Sequence, residues 1–277
     1  MARSSGSLQA FILAGALAAG IAGTAFAADM PALPAPPMVE QPAPEQFGGW
    51  YLRGDVGYGF DQLSNFSSTA ASFVPGFAYG TSGIDGGAFV GGGFGYQLNN
   101  WFRGDITAEY RTPSHYSAFE TYNNGVTSGG DAYSAYINST VVLANGYIDL
   151  GTWYGVTPFV GAGIGTAFVQ FHNLQDVGTG PDNFGAFGAA PDANKINLAW
   201  AAMAGLDYAI SPNWKFEVGY RYLDMGRATS NGIVCTVTCG PPLEVQSFHL
   251  TSQDVRVGLR YTFAEAPAPP PPLITKY

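Results

Sequence analysis

The chain has 277 residues and a formal net charge of −9, with only 11% charged residues but 38 Gly, 19 Phe, 16 Tyr and 5 Trp. An ordinary soluble domain carries about 25% charged residues. A surface so poor in charge does not face water throughout, and an acidic chain with so few bases excludes nucleic acid as a partner.

The N-terminal run places Arg3 before "AFILAGALAAGIAG" and then Ala25-Phe26-Ala27. A positive residue, an apolar stretch and a small-x-small site predict an export signal over 1–27, with a mature start at Ala28. Residues 28–49 are proline-rich and predict an extended linker.

From Trp50 the pattern changes to strict alternation. In "WYLRGDVGYGF" Trp50, Leu52, Val56, Tyr58 and Phe60 alternate with Arg53, Asp55, Gly57 and Gly59. The stretch from Trp101 to Thr112 sets Phe102, Ile106 and Tyr110 against Arg103, Asp105, Glu109 and Arg111. "WKFEVGYRY" and "VRVGLRYTF" repeat the pattern. Less regular segments lie near 86–98, 137–150, 157–171 and 197–210. Period-two alternation predicts strands with two unlike faces, and the total is eight.

Short connections ("QLNN", "GTWYGV", "ISPN") alternate with long ones near 61–85, 113–136, 172–196 and 225–252. Eight strands, short turns at one end and long loops at the other predict an all-β, antiparallel, up-and-down transmembrane β-barrel over 50–263. A soluble barrel would turn its apolar face inward, and an eight-stranded interior is too narrow for this many aromatics. Trp50, Trp101, Trp153 and Trp214 fall at the short-turn ends and predict an aromatic girdle at one membrane interface. The proline-rich tail 264–277 follows the last strand.

The polar face predicts a luminal charge network of Arg53, Asp55, Arg103, Asp105, Glu109, Arg111, Asp149, Asp207, Lys215, Glu217, Arg221, Arg256 and Arg260. Its seven positive and six negative groups would compensate one another as a plug. "FVGAGIG" at 159–165 resembles a dinucleotide fingerprint, but its glycines keep strand period and no helix follows. No cofactor is expected from it. Cys235 and Cys239, in an exported loop, predict a local disulfide. His115, His172 and His249 are isolated from one another in sequence and give no metal signature, and Ser114 beside His115 lacks an assignable acidic partner for a catalytic set. The acidic loops, among them Asp61, Glu120, Asp131, Asp176, Asp224, Glu244 and Asp254, are expected to be solvated or to hold divalent ions near lipopolysaccharide. No catalytic residue is assigned.

The ordered set "GWYLRGDVGYGF", "PFVGAGIGTAF", "KFEVGYRYLDMG" and "VRVGLRYTF" resembles the small porin-family outer-membrane barrels of alphaproteobacteria, of the opacity-protein and OmpA-transmembrane-domain type. That resemblance implies a structural envelope protein in the outer membrane of a Gram-negative bacterium. Its termini would lie in the periplasm, its surroundings would be lipid and lipopolysaccharide, and the barrel-assembly machinery would insert it. It also implies covalent attachment of a mature Ala28-Asp29 terminus to peptidoglycan. Adhesion through the long outer loops and narrow-pore transport are the alternative expectations.

Overall fold

The computed structural model describes residues 48–236 and 242–263. The expected export signal, Ala28, Asp29, the expected linker up to residue 47, Cys239 and the C-terminal residues from 264 therefore lie outside the described residues. Within them the alternating segments form β1 (Gly49–Ser68), β2 (Phe77–Ile84), β3 (Gly87–Gln97), β4 (Phe102–Asn123), β5 (Ser128–Asp149), β6 (Val156–Gly178), β7 (Phe187–Ala190), β8 (Ala193–Ala209), β9 (Trp214–Thr229), β10 (Val234–Cys235) and β11 (Gln246–Thr262).

Eight of these strands close a ring. β1, β3, β4, β5, β6, β8, β9 and β11 pair antiparallel in that order, and β11 returns to pair with β1. Closure removes the sheet edge, which a lipid environment demands because it offers no partners to free backbone groups. The three short strands extend the wall at one end, where β2 pairs with β4, β7 with β6, and β10 with β7.

The lower ring is the barrel that the alternation predicts. Trp50, Leu52, Val56, Tyr58 and Phe60 all project outward and are exposed. At about 3.3 Å per residue and a tilt near 40°, this outward row spans about 25 Å, the height of an apolar membrane band.

The upper half departs from expectation. Much of 61–85, 113–136, 172–196 and 225–252 is strand: β1 runs to Ser68, β4 to Asn123 and β6 to Gly178, while β11 begins at Gln246. Only residues 124–127 separate β4 from β5. β4 and β5 have 22 residues each and β6 has 23, against about 10 for a transmembrane strand. The wall therefore rises roughly 25 Å beyond the band.

A belt of β-bulges hides this continuation from a parity reading. Pairing shifts by one residue between Ser64 and Ser67 in β1 and between Arg111 and Ser114 in β4. Matching shifts place an extra residue in β6, between His172 and Gln175, and in β9, between Asp224 and Arg227. These are alternate strands of the ring, and all four run in the same direction. An extra residue exchanges the two faces of a strand. Inward positions in β4 are odd-numbered up to Arg111 and even-numbered from Ser114; in β6 they change between Phe171 and Leu174. Asn65 (φ 50°), Asn173 (φ 51°) and Gly226 (φ 75°) supply the left-handed backbone at three bulges, and Pro113 sits in the fourth, where a missing N–H is tolerated.

The interior changes character at this belt. Below lies a charged lumen. Above it the barrel encloses an apolar core that includes Tyr116, Ala135, Ile137, Phe171, Leu174, Met225 and Phe248. Tyr116 stacks on Phe248 at 5.0 Å and donates its hydroxyl to Gln246 Oε1 at 2.9 Å.

Candidate binding site at the outer mouth

The luminal residues named from sequence come together as two linked clusters. Near the short turns, Arg53 meets Asp55 (2.7 Å), Asp105 (3.0 Å) and Glu217 (2.8 Å). Arg103 meets Asp149 and Asp207 at 3.2 Å each, Arg256 meets Glu217 at 2.6 Å, and Arg260 pairs with Asp207. Higher up, Arg221 bridges Glu109 (2.7 Å) and Asp254 (2.6 Å), and Arg111 bridges Glu109 (3.3 Å) and Asp254 (2.8 Å). Lys215 is half-buried and stands outside these pairs, with no ion pair among the described residues.

Two acids expected in loops belong here instead. Asp61 pairs with Arg111 at 3.1 Å, and Asp254 is fully buried between Arg111 and Arg221. Six arginines thus face eight carboxylates, close to the balance that burial of charge requires. Parity could have found both acids, since Asp61 continues the Arg53–Gly59 face and Asp254 continues the Arg256–Arg260 face.

Aromatic rings complete the lumen, and the sequence reading did not assign them. The Arg103 guanidinium lies between Tyr147 and Phe159, at 4.6 and 4.7 Å from the ring centres. Phe89 takes Arg111 and Arg221 at 5.0 and 5.1 Å. Such desolvated cation–π contacts contribute about 2 kcal/mol each. The luminal glycines accommodate these rings: a Cβ on Gly161, inside "FVGAGIG", would stand 2.6 Å from Tyr147.

Trp50, Trp101, Trp153 and Trp214 are all exposed at the short-turn end. The three histidines project outward near the bulge belt, on separate strands. His172 and His249 each lie 2.9 Å from an aspartate, Asp192 and Asp224, and His115 lies 3.9 Å from Asp85. Ser114 points inward to Asp61 while His115 points outward, so the two form no dyad. Cys235 is disulfide-bonded.

The remaining loop acids converge at the far end. A cavity of about 360 Å³ opens there, lined by Phe73, Phe77, Phe187, Ile233 and Leu243 and by four carboxylates, Glu120, Asp131, Asp176 and Glu244. The bulges in β4 and β6 aim Glu120 and Asp176 inward. Glu120 stands directly opposite Asp131, and Tyr133 opposite Asp176. The Tyr133 hydroxyl bridges Glu120 Oε2 (3.3 Å) and Glu244 Oε2 (3.0 Å). Asp131 accepts from Asn183 Nδ2 at 2.7 Å.

Electrostatically the mouth is the reverse of the lumen. Among the described residues no lysine or arginine lines it. Burial, reinforced by Glu244, pushes the Glu120 carboxyl up to about 8. Burial with Asp131 and Glu244 nearby lifts Asp176 to about 7, and burial with Glu244 lifts Asp131 to about 6. Glu120 Oε1 and Asp176 Oδ1 are buried with no hydrogen-bond partner among the described residues. Among the described residues no group of three metal-ligating side chains lies within range of a common ion.

Comparison with known proteins agrees with this architecture. The chain is 28% identical to an uncharacterized protein of Brucella abortus, over 81% of this chain and 89% of that one. It is 27% identical to the outer membrane protein PagN of Salmonella typhimurium (65% and 76% covered) and to a protein of Rickettsia conorii named as a candidate adhesin (61% and 65%). Among solved structures it is similar to the outer membrane protein OprG of Pseudomonas aeruginosa, with a TM-score of 0.49, 16% identity, and 80% and 98% of the two chains covered. Residues 16–264 match the family described as outer membrane protein beta-barrel domain. With a closed eight-stranded ring, an exposed apolar band and that match over most of its length, the chain belongs to the outer membrane protein β-barrel domain family.

Proposed function

We propose that this outer-membrane protein is a surface-binding protein of the adhesion type, whose barrel serves as a filled pedestal. One observation carries the reading: the wall continues well past the membrane band and ends in fixed tips with bare apolar side chains. Val126 in the β4–β5 turn and Phe184 in the β6–β7 connection are 91% and 85% exposed. The two connections are tied together, with Thr179 N–H donating to the Gly130 carbonyl (2.7 Å) and Asp182 N–H to the Ser128 carbonyl (3.1 Å). Rigid apolar tips lower the ordering cost of binding. The paired luminal arginines and acids, with side chains each at most 9% exposed, favour a pedestal over a pore. The candidate adhesin among the relatives supports the same reading.

Expression in a non-adherent Gram-negative host, at matched surface levels, tests it. Wild-type cells should adhere several-fold above vector controls. Adherence at the control level, together with steady conductance from the purified protein, would overturn the reading in favour of a pore.

A second reading concerns the other end. β1 begins and β11 ends beside the three short turns, the periplasmic side in such barrels. That placement puts the N-terminal end of the barrel on the cell-wall side, which supports the attachment proposed at Ala28-Asp29.

A further inference from the structure

We propose that the mouth cavity is a binding site for an organic cation: an ammonium group carried on a compact apolar body. The proposal rests on the reading that the outer end is the binding end, and it names a ligand class for that end.

The argument begins with an imbalance. Every luminal carboxylate cluster lower in the barrel has arginine partners, whereas the four carboxylates of the mouth have none among the described residues. Burying carboxylates without cations is expensive, and structures avoid it by pairing, by exposure or by holding a proton. Here there is neither pairing with a cation nor full exposure, and Glu120 and Asp176 hold protons until a cation takes their place. Glu120 is 2% exposed and Asp176 is 9% exposed. Asp176 has no hydrogen bond from any described group, and its Oδ1 and Glu120 Oε1 are buried without partners on the cavity wall. Among the described residues neither oxygen has a hydrogen-bond donor.

The walls decide which donor fits. Carboxylates exclude an anion. A neutral guest could satisfy a hydrogen bond but would leave the carboxyls protonated, whereas a cation favours their ionised form and gains a charge-assisted contact. A bare calcium-like ion needs about six to eight oxygens converging at a single point, and the mouth acids, spread over β4, β5, β6 and the connection before β11, do not meet that condition. Most of the remaining lining is aromatic or aliphatic, with Phe73, Phe77 and Phe187 among it. An ammonium offers three donors, can lie against an aromatic face, and can leave its apolar body against Ile233 and Leu243. A volume of about 360 Å³ suits a small ligand, at the lower end of typical pockets of about 300–1,000 Å³. The same chemistry is present in a free amine and in a lysine side chain on a protein surface.

Calorimetric titration of the full-length protein in lipid nanodiscs provides the test, with phenethylammonium as the probe and 2-phenylethanol as its neutral counterpart. The expected result is saturable binding of the ammonium near one per chain, at least about tenfold tighter than the alcohol, since a charge-assisted contact replaces a neutral one. Glu120→Gln and Asp176→Asn should each weaken the ammonium about tenfold. Both variants keep the side-chain volume and leave no described cation without a partner, so folding is retained; heat-modifiable gel migration checks this. Competition by a capped lysine peptide assigns the site to protein-borne cations, and failure of the peptide to compete assigns it to free amines. Absence of saturable ammonium binding, equal binding of the alcohol, or unchanged affinity in both folded variants overturns the proposal. Cation binding is read without cells, so its failure would leave the adhesion reading standing, and failure of adhesion would leave the cavity result standing.

Discussion

Glu120 on β4 and Asp131 on β5 stand directly opposite each other in the pairing register, and both line the outer mouth. Like charges in that relation destabilise a sheet, so a cost to the fold accompanies the site. Tyr133, Glu244 and Ser68 are the other polar groups around Glu120.

That cost has a definite pH signature. Glu120, Asp176 and Asp131 are raised to about 8, 7 and 6, so the folded mouth holds protons more tightly than the unfolded chain does. Stability is fully present below the ordinary carboxylate range and is lost as pH rises through about 6 to 8. Hydrogen-exchange protection factors in β4 and β5 above the bulges, taken relative to the intrinsic exchange rate at each pH, should rise on acidification from pH 8.5 to 5.5, and Glu120→Gln should flatten the dependence. Protection that instead rises with pH would contradict the electrostatic account.

The charged lumen predicts an asymmetry between two substitutions. Asp254 accepts from both Arg111 and Arg221, so Asp254→Ala leaves two buried guanidiniums short of a partner and should cost about 3–5 kcal/mol. Lys215→Gln removes a charge that makes no ion pair among the described residues and should fall within about 0.5 kcal/mol of wild type. Urea unfolding from lipid vesicles measures both, and equal costs would refute the network as the source of lumen stability.

Two glycines on opposite faces give a similar contrast. Gly161→Ala places a methyl 2.6 Å from the buried Tyr147 ring, whereas a Cβ on outward-facing Gly54 meets nothing within 4 Å. The first should destabilise by about 1–3 kcal/mol, and the second should be close to neutral. A reversed order in thermal unfolding would show that the glycines of "FVGAGIG" serve something other than ring packing.

What the sequence made legible follows from the bulges. Below them nothing interrupts the alternation of Trp50 to Phe60 or of Val255 to Phe263, and the eight strands, the Trp girdle and most of the lumen charges are readable by counting. At Asn65, Pro113, Asn173 and Gly226 the strand faces exchange, and these residue types are also those that announce turns. The outer wall consequently reads as loop, and Glu120 and Asp176 read as solvated acids. Only the pairing register shows that both point inward. The weak alternation near 137–150 has a related cause: Ile137, Val141 and Leu143 are apolar and face inward, so that strand lacks a purely polar side.

The proposed wall attachment makes a chemical prediction. Muramidase digestion of detergent-extracted sacculi should release a peptide that begins at Ala28 and is joined to a muropeptide, and Asp29→Ala should reduce it. Recovery of only a free Ala28 terminus on the embedded protein would remove the attachment.

Adherence of cells displaying wild-type protein, compared with the Val126→Ser, Phe184→Ser double variant at equal surface density, tests binding at the outer tips most directly. Both side chains are bare in the fold, so the variant leaves the barrel intact. The account predicts that adherence falls several-fold toward the vector control while heat-modifiable migration is unchanged. Undiminished adherence by the folded variant would contradict it.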